Sequence, residues 1–298
     1  MEAMDIDMAR ASAFMTSHGR LLERRRFELL TGQGRPEDVL SALVAYQNAD
    51  GGFGWGLEPD LRSPESQPVG ALHAFEVLEE VGPADAAVEA AGRLCDWLAS
   101  VSLPDGGLPF ALPLADDTGS APWWGQVDST LSSLHLTSAV AAVAYQVARR
   151  DPGVRGHAWL GKATRYCQDR IAELDRPGNA LELRYVLWFL DATHDVVPGA
   201  VGELERLGAF VPADGVLAVE GGAEEEALRP LDFSPYPDRP LRRLLVGEAV
   251  DADLERLAGG QGDDGGWVVD FASQTAAGAL EWRGYATVAA VKTLLAHR

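Results

Sequence analysis

Gln261-Gly262-Asp263-Asp264-Gly265-Gly266-Trp267 and Gln47-Asn48-Ala49-Asp50-Gly51-Gly52-Phe53 share one pattern, Gln-x-x-Asp-Gly-Gly-aromatic, near opposite ends of a 298-residue chain. A shorter copy, Asp105-Gly106-Gly107-Leu108-Pro109-Phe110, lies between them, and Asp214-Gly215 is a weaker echo. The aspartates recur roughly every 50–55 residues, with one unit near residue 160 lacking its signal, and such a period suits one helical hairpin plus its loops. The chemistry of the pattern is that of a tight turn. Gly supplies positive φ, Asp bonds its own turn backbone, and Gln reaches orphan groups at a helix end.

Working outward, the segments between these turns read as helices. They are expected at 5–30, at 36–47 with Pro36 in the first turn, and then at 67–81, 84–101, 128–149, 157–174 and 180–193. Further helices are expected at 198–208, 239–248, 250–259 and 283–297. Two kinds alternate. The segment after Pro83 has one apolar face, with Val88, Ala91, Cys95 and Leu98 set against Glu89, Arg93 and Asp96. The segments around Val69–Leu78, Leu131–Ala144, Leu183–Leu190 and Tyr285–Leu295 are apolar or small nearly all round, as enclosed helices are. This alternation predicts an all-α fold: one α/α toroid domain over residues 1–298, of about eleven helices, five hairpins plus a closing helix. The long loops, 49–66, 102–127, 209–238 and 260–282, each follow a half-wet helix and precede an enclosed one, so they are expected at one end.

Composition narrows the function. A formal net charge of −20 argues against a general nucleic-acid surface, which needs clustered Lys and Arg. The one dense basic run, Arg24-Arg25-Arg26, sits inside an expected helix. No uncharged apolar run reaches the ~18 residues of a membrane span. Glu2, Asp5 and Asp7 stand where a secretory signal would carry positive charge, and a cytoplasmic protein is expected. Cys95 and Cys167, each without a neighbour at metal spacing, read as core filler.

Gln261-x-x-x-Gly265-x-Trp267, and its Phe variant Gln47-x-x-x-Gly51-x-Phe53, resemble the Gln-Trp repeat of squalene–hopene cyclases and related class II terpene cyclases. Protein prenyltransferase β-subunits share that α/α ring. The resemblance covers most of the chain as architecture and two units as motif. It implies a toroid whose repeats tie helix ends together. The chemical signatures of those families are missing: no Asp-x-Asp-Asp occurs, Asp5-Ile6-Asp7 and Asp251-Ala252-Asp253 being partial and at helix starts. No Asp-Asp-x-x-Asp occurs either, and neither Cys lies in a loop, which argues against a zinc prenyltransferase. No metal or cofactor is expected.

Aromatics and carboxylates concentrate in the long loops. An acid kept neutral in an aromatic pocket can protonate an alkene or epoxide, and aromatic faces then stabilise the cation. Asp232 beside Phe233, Glu281 beside Trp282, and Asp128 are the candidate acids. Trp55, Glu58, Asp60, Trp123, Trp124, Phe233, Tyr236, Trp267 and Trp282 are the candidate substrate contacts. The expected function is a terpene cyclase-like, acid-initiated cyclisation or isomerisation of a hydrophobic isoprenoid-type substrate. Paired carboxylates with Trp also suit a carbohydrate-active toroid, and a non-catalytic binding or scaffold ring is a third reading. The plain reading of each residue stands beside these. Asp128 suits an N-cap, Glu281 and Arg283 suit a pair, and Glu224–Glu226 suits a solvated face. His73 and His135, on enclosed helices, suit satisfied core histidines, while Tyr185 and Trp188 either line a lumen or fill the core.

Overall fold

The computed structural model describes residues 6–298. The start of the expected first helix at residue 5, and Glu2 and Asp5 themselves, lie outside the described residues. Helices dominate, and the one sheet among the described residues is a two-residue antiparallel ladder, β1 Leu217–Ala218 with β2 Ala227–Leu228. The helices are α1 Met8–His18, α2 Leu21–Leu30, α3 Pro36–Leu43, α4 Pro68–Val81, α5 Asp85–Val101, α6 Pro122–Gly125 and α7 Leu134–Ala148. They continue as α8 Pro152–Gly156, α9 Ala158–Ala172, α10 Ala180–Thr193, α11 Ala200–Gly208, α12 Pro230–Phe233, α13 Gly247–Gly259 and α14 Ala276–Leu295. No helix among the described residues is long and apolar enough to cross a membrane.

Several boundaries differ from those expected, each for a local reason. The first helix is two, because Gly19 and Arg20 are extended between α1 and α2. α7 starts at Leu134, not at residue 128. Asp128 Oδ1 instead accepts from Thr130 N at 2.9 Å and Thr130 Oγ1 at 2.6 Å, closing a turn, and Ser133 caps the helix by accepting from Leu136 N. α14 starts at Ala276, not at residue 283, because Thr275 Oγ1 accepts from Gly278 N at 2.9 Å. Glu281, Trp282 and Arg283 are therefore helical residues. The segment 239–248 holds a 3-10 turn, Pro240–Leu244, and α13 begins at Gly247. On α5 the buried face runs through Ala87, Ala91, Leu94, Cys95 and Leu98, while Val88 is exposed.

The repeated turns carry the architecture. In all three copies a Gly at positive φ (Gly51, Gly106, Gly265, +91° to +95°) is followed by a Gly whose N–H bonds the turn aspartate. A Cβ on Gly51 would sit 2.6 Å from the carbonyl oxygen of Arg93 in α5, and one on Gly106 2.9 Å from that of Lys162 in α9. One on Gly265 would sit 2.2 Å from that of Arg10 in α1. Each turn thus lies flat on the backbone of a half-wet helix, and only Gly allows that approach. The last copy lands on the first helix. Gln261 completes the joint: its Oε1 accepts from Asp7 N at 3.0 Å, and its Nε2 donates to Asp7 O at 2.9 Å and Gly265 O at 3.0 Å. Gln47 Nε2 plays the same part toward Gly51 O and Ala90 O.

Packing follows from these joints. α4, α7 and α10 lie side by side, α14 contacts both α1 and α2, and α10 contacts α12. Buried apolar side chains form two clusters. The larger runs from α2 and α3 through α4, α5, α7, α9 and α10, and holds both cysteines. The smaller joins Phe14 and Met15 of α1 to Leu254 of α13, Trp267 and Val291 of α14, sealing the two chain ends together. Burial pushes the Cys95 thiol up to about 12 and Cys167 higher still, so both behave as apolar packing groups.

Candidate functional site

The enclosed helices carry stripes of polar and aromatic side chains that turn away from the apolar clusters and toward one another. On α4 these are His73, Glu76 and Glu80, at helical spacing on one face. On α10 they are Arg184, Tyr185 and Trp188, which stay partly accessible while Leu183, Val186, Leu187 and Phe189 are buried. On α14 they are Trp282, Tyr285 and Lys292. Ring contacts knit them together. His73 meets the edges of Trp282 and Tyr285 at 6.2 and 5.5 Å, and His135 of α7 lies 4.9 Å from Tyr185.

The α4 side is a closed polar chain. His73 Nε2 is 2.8 Å from Glu58 Oε2, and His73 Nδ1 is 3.1 Å from Glu76 Oε2. A carboxylate only accepts, so both bonds require a ring that donates from both nitrogens. Burial would lower the His73 pKa, but the bonds to Glu58 and Glu76 outweigh it and raise it to about 9. Glu76 in turn accepts from Tyr285 Oη at 3.0 and 3.1 Å, and is held below the usual carboxylate range despite its burial. Below it, Arg26 binds Glu80 through two bonds of 2.8 and 2.9 Å, and Lys292 adds a third at 3.2 Å. Burial alone would raise the Glu80 carboxyl; Arg26 and Lys292 overcome this and hold it at about 2.

The loop carboxylates expected at the mouth are largely engaged. Asp60 is buried and accepts from Trp282 Nε1 at 2.7 Å and Ser273 Oγ at 2.6 Å, tying loop 49–66 to loop 260–275. The Asp60 carbonyl accepts from Ala121 N, and Ser120 Oγ accepts from Arg62 N, which brings loop 102–121 to the same place. Three of the four long loops thus meet at one end of the helices. Glu58 lines a cavity of about 10 Å³ with Gln67 and Gly70, room for about one water. Glu281 Oε2 lies 2.5 Å from Arg62 Nη1 and 3.5 Å from Arg20 Nη1; its expected partner Arg283 instead binds Asp264 at 2.7 Å. Asp128 is exposed, and its bonds to Thr130 hold its carboxyl below the usual range.

The expected aromatic contacts divide three ways. Trp282 and Tyr236 face the polar centre, Tyr236 lying 5.7 Å from Lys292 Nζ. Phe233 and Trp267 are buried, the latter donating to Leu257 O at 2.7 Å. Trp124 is buried against Phe110, whereas Trp123 and Trp55 are exposed. Trp55 is the one non-Gly residue at positive φ among the described residues, anchored by a 2.7 Å bond from its Nε1 to Asn48 Oδ1.

Asp232 differs from the other candidate acids. Its Oδ2 accepts from Arg229 N at 2.8 Å, and its other oxygen has no hydrogen-bond partner among the described residues. Burial raises its pKa, opposed by the charge of Arg184. Trp188 Nε1 donates to Phe233 O at 2.8 Å and so fixes α10 against the short helix that carries Asp232. Arg184 has no sequence motif. Its signal was a lone guanidinium in the apolar run Leu183–Leu190.

No protein-family model and no curated protein matches this chain. Among the described residues, no group of three or more His, Cys, Asp or Glu side chains is arranged to hold a metal ion.

Proposed function

We propose that the helices close into an α/α toroid, and that the space between α4, α7, α10, α12 and α14 takes an apolar small molecule for an acid-initiated, terpene cyclase-like cyclisation or isomerisation. The docking of the last Gly-Gly turn on α1 supports the ring. The observation that carries the chemistry is Asp232, a carboxyl raised by burial, with one oxygen free, on the side of Arg184 and Trp188. A carboxyl of this kind keeps its proton closer to neutral pH and can give it to an alkene or epoxide. Trp188, Tyr185, Trp282 and Tyr285 supply faces worth about 0.5–2 kcal/mol each to a developing cation.

The test is turnover of isoprenoid alkenes and epoxides, read by mass spectrometry. Asp232→Asn is expected to lower the rate by about 10²–10⁴, while Glu281→Gln, which only loosens the Arg62 and Arg20 pairs, retains activity. Absence of turnover, or an unimpaired Asp232→Asn, overturns the reading.

A non-catalytic binding ring is the second reading, favoured by the engagement of Glu58, Asp60, Asp264 and Glu281 in internal bonds. A ligand that binds and is recovered unchanged selects it. The sugar-processing reading has less support, because Asp128, close in sequence to Trp123 and Trp124, is exposed and closes a turn with Thr130, and Glu58 and Asp60 are both buried and bonded.

A further inference from the structure

On the α7–α10 side Arg184 and His135 each lie against Tyr185, and the polar side-chain atoms of all three have no hydrogen-bond partner among the described residues. Arg184 makes no ion pair and no hydrogen bond among the described residues, and its Nε is buried and unsatisfied. Its guanidinium lies 4.5 Å over the Trp188 ring and 5.3 Å over the Tyr185 ring. Among the described residues neither the Tyr185 hydroxyl nor the His135 imidazole has a hydrogen-bond partner, and the His135 ring lies 4.9 Å from that of Tyr185 and 5.5 Å from that of Phe110. Native interiors rarely leave a buried donor such as the Arg184 Nε unpaired, and the partly accessible Tyr185 hydroxyl and His135 ring beside it give a ligand further polar atoms to meet. Burial costs the Arg184 charge, Asp232 and Glu76 offset that cost from beyond ion-pair distance, and a bound anion adds a direct partner.

We propose that Arg184, Tyr185 and His135 form the head-group site for a ligand that carries a single carboxylate on an apolar body. The charge inventory sets the valence. Arg26, Lys292 and His73 are already paired with Glu80, Glu58 and Glu76, so among the described residues Arg184 is the cation of this centre that makes no ion pair. Glu76 and Asp232 are close enough to act on Arg184, and they would repel a diphosphate that one guanidinium cannot neutralise. A guanidinium stacked on an indole keeps its edge free for a carboxylate, with the phenol as a further donor. His135 is held neutral by burial and by Arg184, down to about 4, so its ring adds one donor and little charge. The rings of Trp188, Tyr185 and Phe110 suit an apolar chain beside the head group.

The inference rests on the proposal that this space takes a ligand, and it does not depend on Asp232 acting as an acid. Isothermal titration calorimetry with geranate, geraniol and geranyl diphosphate tests it on the full chain. Geranate is expected to bind about 10- to 100-fold more tightly than geraniol, the gain of charge-assisted hydrogen bonds, and more tightly than the diphosphate. Arg184→Met is expected to erase the preference, geranate then binding no more tightly than geraniol. Equal affinity for geranate and geraniol overturns the head-group site and leaves the apolar chamber standing. Preference for the diphosphate overturns the monovalent assignment. Failure of all three probes to bind overturns both the site and the chamber. The wild-type comparison needs no variant, so it decides the matter even if Arg184→Met does not fold.

Discussion

His73 and His135 sit on neighbouring enclosed helices, α4 and α7, and their surroundings are opposite. His73 lies between two carboxylates, and every polar group around it is matched: Glu58, Glu76, Tyr285, and beyond them Arg26, Glu80 and Lys292. His135 lies among rings, near a guanidinium that makes no ion pair among the described residues. The first raises its histidine to about 9 and the second lowers its histidine to about 4. The lesson is one of satisfaction. A buried polar network whose members all pair with each other holds helices together, whereas leftover donors have bonding capacity to spare, which the proposed ligand uses.

The comparison breaks most visibly by deleting an acceptor from the satisfied side. Glu76→Ala leaves His73 and Tyr285 without their shared partner between α4 and α14, and is expected to cost about 3–5 kcal/mol in urea denaturation. Next comes pH. A histidine whose folded pKa exceeds its unfolded value stabilises the fold fully below about 6.5, and that contribution is lost as pH rises through about 9. Stability is therefore expected to fall by about 3 kcal/mol at most between pH 6.5 and 9.5. In His73→Gln this alkaline loss is expected to flatten. The smallest effect belongs to the other side. Arg184→Met is expected to change stability by no more than about 1 kcal/mol, since it removes a partly buried cation that makes no ion pair or hydrogen bond among the described residues. A loss of 3 kcal/mol or more there would mean that Arg184 is structural after all.

What was legible in the sequence divides along the same line. The Gly-Gly turns and their Gln residues announced the helical hairpins, because positive φ and close backbone approach demand particular residues at fixed offsets. The docking of Gly265 on Arg10 was not legible, since it joins segments about 250 residues apart. Thr275 and Ser133 are helix caps, but each stands among other Ser, Thr and Asp residues able to cap, so α14 was placed too late and α7 too early. Asp60 and Glu58 were read as mouth residues from their loop composition; Asp60 bonds Ser273 and Trp282, and Glu58 bonds His73. Their burial and bonding depend on what those distant segments offer them. The plain reading of His73 as a satisfied core histidine agrees with its bonds. The same reading does not fit His135, and the neighbour that sets it apart, Arg184, comes from a helix 49 residues further along. Local periodicity tells which face a side chain occupies, but not whether that face meets a partner.

The opposed histidines are tested most directly by an NMR titration of the imidazole carbon-bound protons between pH 4 and 10, with His73→Gln and His135→Gln to assign them. The expected result is that His73 stays protonated through pH 8 while His135 stays neutral down to pH 5. Two ordinary titrations near pH 6.5 would contradict the account, removing both the satisfied network on α4 and the cationic, aromatic wall on α7 and α10.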